Sequence, residues 1–331
     1  MNMRQAHCRG VMRRRSVLGL AVVLAAVPAW AQTFPAKPLR LVVPFAAGGS
    51  TDVVARLVGQ KMAESLGQPV LVENRPGAAG AIATDQVAKA PADGYTLLMA
   101  TTSTHAILPV ANPKLPYDPV KDFASIGLVA RAPNVLVVSP ALQVNTVKEL
   151  VALAKSRPGQ LSFASSGNGT ITHLVAELFN SSAGVQAVHV PYKTGVQALT
   201  DVVSGQVAFQ FDSIVWTLPQ VRAGKLKGLA VTGLTRSALA PDLPTMAESG
   251  LPGFEGVTWF GFAVPAATPK NVVARLNAEL NRALQSRDVQ DRMAAQGAEA
   301  APGKPEDMTK LVREDTAKWG KVIRDGGVKF E

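Results

Sequence analysis

Two glycine-bearing segments carry most of the chemistry this chain can offer. The first, Pro44-Phe45-Ala46-Ala47-Gly48-Gly49-Ser50-Thr51-Asp52, ends an apolar run and opens a helical pattern. Its glycines let the backbone turn sharply and aim several N–H groups one way. The following helix adds its own unpaired N–H groups and the positive end of its dipole. Together these can hold an oxyanion. No Lys-Ser/Thr follows the glycines and the G-x-G-x-x-G spacing is absent, so a small carboxylate fits better than a nucleotide phosphate. The plain alternative is a tight turn whose glycines serve geometry alone. The second segment, Ala164-Ser165-Ser166-Gly167-Asn168-Gly169-Thr170, also lies between a strand and a helix and adds hydroxyls and an amide. Two such loops, one in each α/β unit, could face each other across a cleft at the carboxyl ends of their strands.

Catalytic patterns are missing. Gly-x-Ser-x-Gly does not occur, and His105, His173 and His189 form neither an H-x-x-x-H pair nor an H-E-x-x-H motif. His173 falls in the first turn of a helix beside Asn168. It could touch a ligand, but packing or a hydrogen bond to the loop is the expected role. His189 sits between Val188 and Val190 on a strand and reads as structural. Asp212 ends an apolar strand; it could meet a ligand hydroxyl or ammonium, or cap the short helix toward Trp216–Val221. Tyr192 is ambiguous between cleft wall and core.

These residues need a scaffold. The 331-residue length suggests about two domains. Leu39–Val43, Val70–Val72 and Tyr95–Met99 read as strands, alternating with helices over Asp52–Leu66 and Ala79–Ala90, which implies a parallel sheet with covered faces. The pattern restarts at Val135–Val138. Helices follow over Val147–Lys155, Thr172–Asn180 and Gly195–Val203, with strands at Leu161–Ala164, Val188–Val190, Val207–Phe211 and Leu226–Val231. After the strand Trp259–Val264, helices at Lys270–Gln285, Asp288–Ala295 and Glu306–Asp325 return to the first unit. The chain then crosses between domains twice, near Ala130–Asn134 and Gly253–Thr258. The expected division is 32–131 plus 257–331 for the first domain and 132–256 for the second.

Residues 1–31 read as an export leader. Arg4, Arg9, Arg13, Arg14 and Arg15 precede the apolar run Val17–Ala26, and Ala29-Trp30-Ala31 has the form of a cleavage site. The run is shorter than the roughly 20 apolar residues a span requires. Arg14-Arg15-Ser16-Val17-Leu18 also loosely fits a twin-arginine signal. Cys8 lies in this leader, so the mature chain is expected to have no disulfide, thiolate or cysteine metal ligand. The five leader arginines supply half of the formal net charge of +10. The remaining basic residues are scattered and aromatics make up 5%, which argues against a nucleic-acid partner.

The sequence closely resembles the Bug-type periplasmic receptors of tripartite tricarboxylate transporters. The resemblance rests on Pro44–Asp52, Val72-Glu73-Asn74-Arg75-Pro76-Gly77-Ala78, Pro91–Leu98, Leu115–Phe123, Ser165–Thr170 with His173-Leu174, and Val188–Lys193. It continues through Phe211-Asp212, Leu229–Thr232 and Leu251–Phe254, covering the chain from about Phe34 onward. It implies an α/β, two-domain, type II-like Venus flytrap that closes on a small organic carboxylate and delivers it to membrane permease subunits. It also implies a periplasmic monomer without cofactor, metal or catalysis. The ligand set expected with it is Phe45, Ala47, Gly48, Gly49, Ser50, Thr51, Thr102, Ser165, Gly167, Asn168, Gly169, Thr170, His173 and Asp212. A sensory receptor for a signalling kinase, or a periplasmic hydrolase, is the alternative. Three positions depart from the family's habit: Thr194-Gly195-Val196 after Lys193, Ser213 after Asp212, and Ile171.

Overall fold

The computed structural model describes residues 34–330; the expected leader and Cys8 lie outside the described residues. In chain order the elements are β1 (Leu39–Val43), α1 (Ser50–Leu66), β2 (Val70–Asn74), α2 (Ala81–Ala88), β3 (Thr96–Thr101), α3 (Leu108–Ala111) and β4 (Phe123–Val138). Then come α4 (Val147–Ser156), β5 (Ser162–Ser165), α5 (Ile171–Ala183), β6 (Val188–Pro191), α6 (Gly195–Val203), β7 (Phe209–Ser213), α7 (Ile214–Arg222) and β8 (Lys227–Val231). The chain continues with β9 (Val257–Pro265), α8 (Lys270–Gln285), α9 (Arg287–Ala294), β10 (Glu299–Ala300) and α10 (Pro305–Asp325).

The strands run β2-β1-β3-β9-β4-β7-β5-β6, with β8 and β10 also paired to β4. β1 pairs in parallel with β2 and β3, and β5 with β6 and β7. These parallel groups match the expected βαβ units. Joining them is β4, which was expected only as Val135–Val138 but is a single strand beginning at Phe123. Through Pro133 it pairs with β9, and from Asn134 onward with β7 and β8. Ala130–Pro133 contains an arginine and a proline, which masked a strand whose alternate positions stay buried. The sheet thus changes partners within the first expected crossing.

Apolar periodicity explains the layers. In α1, Val54, Leu57, Val58 and Met62 are buried against β1 and β3 in one core. Each such side chain contributes about 1.5–3 kcal/mol by leaving water. The helix ends at Gly67, whose left-handed φ of 68° lets its N–H reach Ala63 O. A second core mixes both halves of the sheet, bringing Val42 and Leu98 together with Leu136, Phe163 and Phe209. Among the described residues no helix is long and apolar enough to cross a membrane.

Candidate functional site

The N-termini of α1, α5, α6 and α7 all open on one cavity of about 580 Å³. Each of these helices follows a strand, so the cavity lies at the carboxyl ends of β1, β5, β6 and β7. This is the size range of small-molecule sites. The wall includes Gly49, Ser50 and Thr51 at the start of α1, Ile171 and Thr172 of α5, Thr194, Gly195 and Val196 at α6, and Ser213 and Trp216 at α7.

The loop before α1 is braced from behind. Asp52, only 4% exposed, accepts hydrogen bonds from Gly48 N–H at 3.0 Å, Arg56 Nε at 3.0 Å and Asn74 Nδ2 at 2.9 Å. Asn74 also donates to Phe45 O at 3.1 Å. Burial works against the Asp52 charge, but the bonds from Arg56, Gly48 and Asn74 outweigh it and hold its carboxyl below the usual range. The positive φ of the turn falls on Gly48, at 83°. Gly49 is extended, at φ −83°. The first main-chain bond of α1 is Val53 N–H to Gly49 O, and no side chain caps the helix. Among the described residues, the N–H groups of Gly49, Ser50 and Thr51 therefore have no partner.

The other three helices are answered from within. Ile171 N–H of α5 donates to Ser103 Oγ at 2.9 Å. Thr194 Oγ1 caps α6 by accepting from Gln197 N–H. Asp212 Oδ1 accepts from Ser213 N–H at 2.7 Å, directly before α7. It fronts that helix but does not cap it; the N-cap is Ser213, which makes no side-chain cap bond. Of the four, α1 alone has no side-chain acceptor on the N–H groups of its N-cap and first turn.

The loop before α5 rests on stacked histidine rings. His173 and His189 lie 3.8 Å apart between centroids, 8° from parallel. His173 Nδ1 accepts from Gly169 N–H at 3.3 Å, which fixes the tautomer with its proton on Nε2, 3.5 Å from Glu177 Oε1. His189 Nε2 lies 2.6 Å from Ser165 Oγ, and burial, with a smaller contribution from His173, pulls its pKa down to about 3.

Eight of the fourteen expected ligand residues line the cavity: Phe45, Ala47, Gly49, Ser50, Thr51, Gly167, Asn168 and Asp212. The other six lie outside the lining. Gly48 gives its N–H to Asp52. Thr102 is fully buried, with its hydroxyl accepting from Trp259 N–H at 2.9 Å. Ser165 and His173 belong to the histidine brace, Thr170 Oγ1 donates to Gly167 O at 2.7 Å, and Gly169 faces Leu108. Ile171, Thr194-Gly195-Val196 and Ser213, the three departures from family habit, are all on the wall.

Sequence reasoning missed one wall. Gly77, Ala78, Ala79 and Gly80 line the cavity with φ of 137°, 47°, 53° and 95°. Four successive positive φ values include two alanines, where L-residues are strained. A Cβ at Gly80 would come within 2.7 Å of Thr104 Cγ2. The Pro76-Gly77 pair signals a turn, but nothing in the alanines announces their conformation. Asn134 and Thr258 were also missed; both line the cavity floor where β4 changes partners.

The family model for the receptor of the tripartite tricarboxylate transporter family matches residues 54–328. The chain belongs to this family. Among Bug-type relatives, Protein BugT of Bordetella pertussis is 38% identical over 96% of this chain and 99% of its own. The receptor also resembles an R. palustris protein solved with adipate, at 38% identity and TM-score 0.87, covering 89% of this chain and 99% of that one. MatC from Rhodopseudomonas palustris with bound malate gives 36% identity and TM-score 0.83, covering 88% and 100%. The receptor therefore has the two-domain periplasmic-binding-protein fold, with the cavity between its halves.

Proposed function

We propose that the receptor captures a small organic carboxylate on the open N-terminus of α1 and delivers it to the permease subunits of a tripartite transporter. The observation that carries this is the set of unpaired N–H groups at Gly49, Ser50 and Thr51 facing the cavity. The charged side chains in the cavity lining are Asp212 and the exposed Lys193, so helix and backbone dipoles supply the attraction. Ligands of the related adipate- and malate-bound proteins support the class. The working form is a periplasmic monomer, with its leader removed near Ala31. Its moving bodies are 32–131 plus 257–331 and 132–256. Three or four charge-assisted hydrogen bonds of roughly 1.5–3 kcal/mol each supply the about −8 kcal/mol of a micromolar site before association costs.

Calorimetry with dicarboxylates from malonate to pimelate, their monoamides and their neutral diamides tests the reading. At least one acid should bind with micromolar affinity, and the diamides should not. Gly49→Val should fold, because a Cβ there meets only Ala46 O at 3.7 Å, yet weaken binding more than tenfold by covering the amides. Binding of diamides as tight as that of the acids, or full affinity in folded Gly49→Val, would reject it.

A further inference from the structure

The cavity that the α1 amides open on also holds a carboxyl group, Asp212, with no cation among its partners. Asp212 is 6% exposed, and its Oδ2 accepts from Gln210 Nε2 at 2.6 Å. Trp216 and Ser213 N–H also donate to it. On β4 the residue in register with it is Val135, and from α6 Gly195 approaches so closely that a Cβ would sit 3.5 Å from Oδ2. The titratable neighbours on the wall are Lys193, exposed, and Tyr192, whose hydroxyl donates to Asp201. Beside Asp212, Ser213 is 2% exposed and its hydroxyl has no partner.

This wall differs in kind from the α1 wall. There the donors wait for a charge; here a charge already stands, fronting α7. A ligand carboxylate arriving next to Asp212 would place two like charges beside each other where Asp212 has no cationic partner, so that only one of the two can ionise. Burial already raises the Asp212 carboxyl to about 6, so little further push protonates it near neutral pH.

We propose that Asp212, with the Ser213 hydroxyl, sorts the far end of the ligand by hydrogen content. A hydroxyl, amide or ammonium brings its own proton and is accepted directly. A second carboxylate is accepted only together with one proton from solvent, which then lies between it and Asp212. Ser213, after rotation about its Cα–Cβ bond, donates to the same ligand group. The inference rests on the carboxylate reading above and gives that reading its specificity.

The test is calorimetry at about pH 7.5 in phosphate and in Tris, whose ionisation enthalpies differ, using the tightest-binding diacid of the malonate-to-pimelate series and its monoamide. The diacid should take up close to one proton per molecule bound, and its dissociation constant should rise about tenfold per pH unit above neutrality. The monoamide should take up none and show a flat profile. Asp212→Asn, checked for folding by circular dichroism, should abolish the uptake and flatten the diacid profile. Diacid binding without proton uptake, or uptake that survives in Asp212→Asn, would overturn the proposal while leaving the carboxylate reading intact. Failure of every acid to bind would remove both.

Discussion

Single residues in this receptor divide into those that meet the cavity and those that hold the first group still. Asp52 shows the second role: it spends its charge on Gly48 N–H and thereby leaves Gly49, Ser50 and Thr51 free. His173 and His189 do likewise for the loop across from it. The Gly77–Gly80 run stores strain on the wall itself, and strain of this kind is kept where it shapes a site. Ala79→Gly should relieve the φ of 53° and change stability in the folded protein by no more than about 1 kcal/mol, because the gained freedom of the unfolded chain offsets the relief. Ligand affinity should fall, because a looser wall must be ordered on binding. Urea denaturation paired with calorimetry measures both; a variant with unchanged affinity would show the strain to be unrelated to the site.

At the scale of elements, the decisive join is where β4 leaves β9 for β7. Asn134 is fully buried there. Its Nδ2 donates to Gly256 O at 2.6 Å, its Oδ1 accepts from Thr258 Oγ1 at 3.2 Å, and its N–H donates to Thr232 Oγ1 at 2.8 Å. Thr232 Oγ1 donates in turn to Gly256 O at 2.7 Å. Asn134→Ala would strip buried partners from both strands and should cost about 1–3 kcal/mol, with a larger loss of ligand affinity than stability alone explains. Chemical denaturation and binding on the same preparation separate the two. Most elements here were legible from sequence: α1, α4 and α6 follow their apolar spacing, and Thr146 accepts from Glu149 N–H as its position before α4 suggests. The full length of β4 was not, because its join is fixed by contacts 98 to 124 residues away in sequence. The candidate site was legible to the same depth. Glycines and helix starts pointed to the α1 loop, while the left-handed alanines and the histidine brace depend on tertiary packing that no local pattern records.

For the whole molecule, groups of opposite sign set the response to acid. Burial pulls both His105 and His189 down to about 3, so each favours the folded state above its ordinary pKa of 6.5 and loses that advantage as pH falls toward 3. Asp212, raised to about 6, has the opposite sign: its contribution is complete below its ordinary 3.8 and is lost as pH rises through 6. Each group changes stability by at most about 1.4 kcal/mol per pH unit in the window between its two values. Asp315, which burial also raises, stands with Asp212, but the histidines shift further, and the receptor should lose stability on acidification from about pH 6 to 4. Asp212→Asn removes a large part of the opposing contribution, so its loss over the same range should be steeper. Urea melts at three pH values decide the matter; parallel slopes for the two proteins would place the Asp212 carboxyl at its ordinary value.

The continuity of β4 has a kinematic meaning. A hinge made of a flexible linker leaves the joined bodies free to swing and twist in many directions. A strand paired on both sides of the join keeps its hydrogen-bond ladder only if the bodies turn about an axis the ladder permits, and the return passage at Gly256–Val257, tied to Asn134, removes most of what is left. Relative movement of the halves is thereby reduced toward a single rotational coordinate. In the proposed closure, the Gly49 amides and the Asp212 carboxyl would approach along only one path, so the span between them would be a property of the backbone. On that proposal the length of an acceptable ligand would be written into the sheet before any ligand arrives.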